Sequence, residues 1–233
     1  MRQFTNKEFR SFKGPLLWPR TLSDFAFEDC SFYSCSIGHR HSKDFSRRTI
    51  VRNTTLRNCK VLTKSIIGPG QFDNVQLHNV VGAEVFVLGA LYKHVKLSGK
   101  FDSLILHGMP NLETLPEDRA AYWRSCDGFY ENCDWALDIS EAEFLYFEIR
   151  ARAVPSKLVL RDPKSQVIVR AEEIAGGRWR QLPLGTQVRS QFQNWEFGGQ
   201  GDLVLVAPRR NKHAYEEIMN DIDILCSEGI ARP

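Results

Sequence analysis

FEDCSFYSCSI, residues 27–37, sets Phe27, Phe32 and Ile37 five residues apart and places Cys30 and Cys35 two positions before the last two of them. The spacing returns in TIVRNTTLRNCKV, residues 49–61, as Val51, Leu56 and Val61, preceded by Thr49, Thr54 and Cys59, and extends to Ile66 after Lys64. After a one-residue slip it runs on as Phe72, Leu77, Gly82, Val87, Tyr92 and Leu97, with Gly70, Val75, Val80, Val85, Ala90 and Val95 two positions earlier. A helix repeats about every 3.6 residues and a strand every two, so neither alone produces this beat. A chain that turns a corner every five residues does, with two positions of each pentad facing inward and three facing solvent or forming the corner. Stacked passes of such a chain lay backbone hydrogen bonds on one another at about 4.8 Å, and stacking supplies the core that one pass lacks.

The slot two before the beat is the sharper signal. In the first seven pentads it holds Cys or Thr five times, although Cys and Thr together make up 14 of 233 residues. A narrow axis where several sides converge admits a small side chain, and free Cys packs as a small hydrophobe. On these two stretches the chain resembles the pentapeptide-repeat family of right-handed quadrilateral β-helices, whose pentads centre on Leu or Phe with a small residue, usually Ala, two before. This chain departs from that pattern: the slot carries Cys, Thr or Val, Lys64 is charged, Gly82 has no side chain, and the register slips. The resemblance implies a mainly β protein, a right-handed parallel β-helix; a triangular parallel β-helix is the alternative architecture.

Later fragments keep the rhythm as far as Phe144 and Ile149. The expected layout is an N-terminal cap segment over 1–24, a β-helix over 25–152, and a small α+β cap over 153–233. Residues 38–48 and 107–128 interrupt the beat, and EDRAAYWRSC in the second reads as a short helix. KLVLRDPKSQVIVR predicts two strands around the Asp162-Pro163 turn, and DLVLVA another. Residues 174–187 read as irregular. Asn211 is positioned to cap a final helix with the apolar face Tyr215, Ile218, Met219, Ile222, Leu225 and Cys226, ended by Gly229. That helix is expected to cap the coil end; its alternative role is a homodimer contact.

Composition is that of an ordered chain, 42% hydrophobic and 25% charged. No stretch is long and apolar enough to span a membrane, and the N-terminus carries no secretory pattern, so a cytoplasmic, bacterial-type protein with reduced thiols is expected. A Cys126–Cys133 disulfide is the alternative for those two. The net charge is +3. Some members of the resembled family mimic DNA through a dense acidic face, and this charge disfavours that role; it also gives little support for direct nucleic-acid binding.

The basic run His39, Arg40, His41, Lys43, Arg47 and Arg48 reads as a protruding loop suited to an acidic protein partner, and Arg178, Trp179 and Arg180, in an Arg-rich region, as a second partner surface. The alternatives are a solvated insertion and a packed Trp among solvated Arg residues. Cys30, Cys35, Cys59 and Cys133 fall on the repeat and read as packing; Cys126 lies off it and is the candidate reactive thiol. His78, His94 and His107 could stack on successive passes. Asp134, Asp138, Glu141 and Glu143 are the candidate carboxylates of a carbohydrate-active or hydrolytic enzyme. No metal-ligand spacing, phosphate loop or dinucleotide fingerprint is present, so neither metal nor cofactor is expected. The leading expectation is a non-catalytic interaction scaffold that binds a protein partner, for example an immunity or enzyme-modulating protein.

Overall fold

The computed structural model describes residues 1–11, 21–37, 48–63, 65–109, 116–198 and 201–233. Eleven strands come first: β1 (Arg2–Thr5), β2 (Glu8–Arg10), β3 (Thr21–Ser23), β4 (Phe25–Glu28), β5 (Ser31–Tyr33), β6 (Thr49–Arg57), β7 (Lys60–Val61), β8 (Ser65–Ile67), β9 (Gly70–Gly82), β10 (Val85–Leu88) and β11 (Leu91–His107). Helix α1 (Pro116–Tyr130) precedes β12 (Leu137–Arg150) and β13 (Val159–Leu160). The C-terminal part contains β14 (Gln166–Val169), α2 (Ala171–Gly176), α3 (Thr186–Gly198), β15 (Leu203–Val206), α4 (Lys212–Ser227) and β16 (Ala231–Arg232). The protein is mainly strand, and β1 to β13 join in one parallel sheet that does not close into a barrel.

The register explains the beat. Phe4, Phe27, Leu56, Leu77 and Leu97 pair in turn, one above another. Leu22, Val51, Phe72 and Tyr92 form a second column. Phe9, Phe32, Val61 and Gly82 form a third. The fourth is Ile67, Val87, Leu106 and Ile149. Successive beat residues therefore enter successive columns. The slip lies earlier than the count of five places it: Ile66 pairs with Phe86, and Ile67 pairs with Val87.

The corner of each pentad sits two residues after the beat. Asn6, Ser11, Asp24, Asp29, Ser34, Asn53, Asn58, Asn74, Asn79 and His94 all have φ between 48° and 62°. Left-handed backbone costs most L-residues about 1–2 kcal/mol, and Asn and Asp tolerate it best after Gly because their short polar side chains bond locally. Gly89 and Gly99 occupy the same offset with φ of 60° and 70°.

The small slot is selected by more than size. Cys30 Sγ donates to Phe4 O at 3.4 Å and Glu28 O at 3.3 Å, and Cys59 Sγ to Arg57 O at 3.3 Å. Thr54 Oγ1 donates to Arg52 O at 3.0 Å. A thiol or hydroxyl here fits the axis and also satisfies a carbonyl at the turn, which Ala cannot do.

Within the expected N-terminal cap segment 1–24, the described strands β1, β2 and β3 pair with β4, β5 and β6 and carry the beat back to Phe4 and Phe9. The Phe4 and Phe9 rings stack on Phe27 and Phe32, each pair with centroids 5.2 Å apart. At the other end the ladder reaches Val159 and Leu160, beyond the expected boundary at 152. The expected strands near the Asp162-Pro163 turn are present but do not pair together: β13 joins β12, while β14 lies between β15 and β16 in a second, antiparallel sheet.

β15, rather than the final helix, covers the last long strand of the parallel sheet. Val204 and Val206 join the core of the parallel sheet, and Leu203 and Leu205 join a second core. Polar groups reach the free edge of β12: Gln166 Nε2 donates to Ile139 O at 3.0 Å, and Arg210 N to Phe144 O at 3.1 Å. Asn211 caps α4 by accepting from Ala214 N at 3.2 Å, as its position predicts. Its apolar face, with Ile218 and Leu225 fully buried, packs into the second core alongside Val188 and Phe192 of α3. The face that a dimer through this helix would need is thus occupied within the chain.

Candidate functional site

Of the basic run, His39, Arg40, His41, Lys43 and Arg47 lie outside the described residues. Arg48 is described, and it is buried rather than protruding. It immediately precedes the small slot at Thr49, and its guanidinium donates to Gly89 O, lies 5.3 Å from the Tyr122 ring centroid and comes within 3.9 Å of Cys126 Sγ. Its charge is spent joining the sheet to α1.

Trp179 is also internal. It is 2% exposed, donates from Nε1 to Ile174 O at 3.1 Å, and packs edge-on against Phe192 in the second core. The partner-surface expectation therefore loses its aromatic anchor. Arg178 and Arg180 remain exposed on either side, Arg178 donating to Glu228 O at 2.9 Å and Arg180 paired with Glu196. Other arginines of this region serve the backbone or nearby carboxylates: Arg189 Nε donates to Leu184 O at 3.0 Å, and Arg152 pairs with Asp127 at 3.0 Å.

The acidic candidates sit just before β12 and along its first half, and three of them meet side chains of the adjoining strand β11. His94 Nε2 lies 2.6 Å from Asp134 Oδ1, and this bond holds the Asp134 carboxyl below its usual range. Lys96 Nζ is 2.9 Å from Glu141 and 3.8 Å from Asp138, which also accepts from Ser140 Oγ at 2.6 Å. Neither of the two cavities described below and in the next subsections is lined by Asp134, Asp138, Glu141 or Glu143. Acid–base cleavage of a glycosidic bond needs two carboxyls facing one substrate-sized space; Asp134 instead faces His94, and Asp138 and Glu141 face Lys96.

The three histidines do not stack. His78 Nδ1 is 3.0 Å from Ser98 Oγ, His94 forms a corner beside Asp134, and His107 Nδ1 is 3.2 Å from Met109 N, far along the sheet. All six thiols are free, so no Cys126–Cys133 disulfide forms. Cys126 is 6% exposed, and burial pushes its thiol up despite Arg48 nearby, the opposite of what a nucleophile requires. It borders a cleft of about 250 Å³ between α1 and residues 152–157, which also contains the Arg152–Asp127 pair and the Ser156–Asp202 bond of 2.8 Å.

One cluster escaped the sequence analysis. Tyr146, Glu148 and Arg150 alternate along β12 and so share a face, with His107 paired beside Arg150. Glu148 is 1% exposed; it accepts from Tyr146 Oη and from Arg150 at 2.6 Å. Burial first, and then the Glu148 bond, push the Tyr146 phenol up, and burial lowers His107. The alternation in YFEIR was the available signal. The cluster holds a carboxylate already satisfied by two donors, which makes it a locked ion pair rather than an acid–base site. Among the described residues no group of three or more His, Cys, Asp or Glu side chains is arranged to hold a metal ion.

Comparison with protein-family models, with curated proteins and with solved structures finds no match for this chain. No helix among the described residues is long and apolar enough to cross a membrane.

Proposed function

We propose that the parallel passes form a right-handed, pentapeptide-like β-helical solenoid, and that the chain is a non-catalytic, cytoplasmic scaffold that binds a protein partner. The observation that carries this reading is the fate of the outward carboxylates. Asp134 meets His94, and Asp138 and Glu141 meet Lys96, all on the adjoining strand and within 3.8 Å. Such contacts hold a rigid surface in place and tie these three carboxylates to neighbouring side chains. Register columns that repeat through at least four passes support the solenoid, since each pass buries its apolar residues only against its neighbours.

The partner surface we assign is the C-terminal one around Arg178 and Arg180, with the 39–47 basic run as a second contact. Both arginines are more than half exposed, and Arg is favoured where a partner presents carboxylates. The test is affinity capture with the wild type and an Arg178→Glu/Arg180→Glu variant, followed by reconstitution with each purified candidate. A defined complex lost in the charge-reversed variant is the expected result. Hydrolysis of a polysaccharide panel that disappears in Asp134→Asn or Glu141→Gln would overturn the scaffold reading in favour of an enzyme.

A further inference from the structure

The columns of the parallel sheet do not fill the space between them. A cavity of about 410 Å³ lies among them, lined by residues that run from Phe4 and Phe9 at one end to Leu106 and Leu137 at the other. Protein interiors pack about as densely as organic crystals, and voids larger than a water are few. A cavity of roughly 150 Å³ walled by Leu, Ile and Phe stays dry and takes up benzene. This one is more than twice as large, in the range of small-molecule pockets.

Its shape follows from the register. Lining residues come from every step of the ladder β1–β4–β6–β9–β11–β12, and five steps at about 4.8 Å span roughly 24 Å. The space is long and narrow because the beat supplies it: large residues alternate with the small slot around each pass, and at Gly82 the beat position carries no side chain at all. Gly82 borders the cavity, and the Val61 backbone approaches it so closely that a Cβ there would meet Val61 O at 2.0 Å, so no side chain fits at this beat position.

The wall is chemically selective. Asp102 is the one charged residue of the lining, and it already accepts from Gly82 N at 2.6 Å and from Arg210 at 2.5 Å. Thr54 and Cys35 donate to backbone carbonyls. Water, which needs two to four polar partners, has little to hold it. Tyr92 also lines the cavity; its ring stacks on Phe72, and its hydroxyl oxygen is closed off from the open space.

We propose that this cavity is a binding site for one elongated, uncharged hydrocarbon chain with at most a single terminal hydroxyl. The site is independent of the partner surface assigned above and stands or falls separately from it.

The experiment uses the full chain and the neutral fluorophore N-phenyl-1-naphthylamine, with 1-dodecanol and dodecanoate as competitors. Saturation at one probe per chain is expected, with displacement by dodecanol and about tenfold weaker displacement by dodecanoate, since no free cation lines the wall. Val80→Phe and, separately, Val95→Leu fill the space and should weaken the probe at least about tenfold, whereas Leu62→Ser and Leu160→Ser, at exposed leucines, should leave it unchanged. Dodecanol should also raise the wild-type melting temperature with concentration, a readout that needs no variant to fold. Non-saturating binding, binding that survives in a folded filled variant, loss in the surface variants, equal competition by dodecanoate, or an unchanged or lowered melting temperature would each overturn the proposal.

Discussion

The Asn74 side-chain amide donates to the Asn53 side-chain oxygen at 2.9 Å across one step of the sheet, and Asn53 donates in turn to Asp24 at 3.1 Å. A parallel rung joins Asn79 to Asn58 at 3.0 Å. These residues hold the left-handed corners and also cross-link them, so one side chain does two jobs.

Asn74→Ala should lower stability by about 1–2 kcal/mol, because it loses the rung and places a Cβ without local compensation at a φ of 53°. Asn74→Gly should lose less, since Gly accepts that φ freely. Urea denaturation decides the point; an Ala variant as stable as the Gly variant would show that the corner conformation is not what Asn supplies.

Phe32→Asp should leave little soluble folded protein. The ring stacks on Phe9 and meets Phe27 at 5.6 Å, and losing a packed Phe costs about 3–5 kcal/mol before the charge is counted. Wild-type-like solubility and far-UV circular dichroism would refute the third column at that position.

Burial raises the Asp221 carboxyl above its ordinary value, with Glu217 adding to the shift and the Gly185 N–H opposing it. A raised folded-state pKa contributes stability that is complete below the unfolded value and is lost as pH rises through the folded one. Asp221→Asn keeps an acceptor for Gly185 and never ionises. Its stability relative to wild type should therefore improve between about pH 3 and pH 7. A difference that stays constant across that range would remove ionisation as the cause.

Burial pushes the Cys59 thiol up to about 11. Cys30 and Cys59 are fully buried. Neither should react with a thiol-specific disulfide reagent near pH 8 until denaturant is added. Rapid labelling of either in the native protein, mapped by peptide mass, would contradict their place in the small slot.

Deleting residues 211–233 should produce aggregation, because it uncovers Ile174, Phe192 and Leu205 and removes β16 from the edge of β14. A well-behaved truncated monomer beside a dimeric full-length chain would restore the dimerisation role for α4.

Several elements were legible in the chain for local reasons. The five-residue beat, the Asn211 cap, the Gly229 stop and the apolar face of α4 each express short-range geometry, and short-range geometry is written in spacing. Helix α3 was equally legible in Val188, Phe192 and Trp195, at i, i+4 and i+7, although it follows directly on the irregular stretch 174–187. The corner residues stood at a fixed offset from the beat as a run of Asn, Asp, Ser and Gly. Tyr146, Glu148 and Arg150 could be placed on one face by alternation, but their mutual ion pairing could not.

The sites behaved differently. Arg48 and Trp179 look like surface residues beside other cations, and only long-range packing put them inside. DLVLVA announced a buried strand, yet nothing in four consecutive apolar residues says that Val204 and Val206 close one core while Leu203 and Leu205 close another. The five-residue spacing is a property of each pentad by itself, since a corner and two inward positions recur whatever lies above or below, and so it can be read from the chain. Which strand lies beside which, where the slip falls, what covers the last strand and how much space the sheet leaves empty depend on contacts between residues 20 to more than 100 positions apart. Those contacts exist only after the strands have paired, and they decide where a site can be.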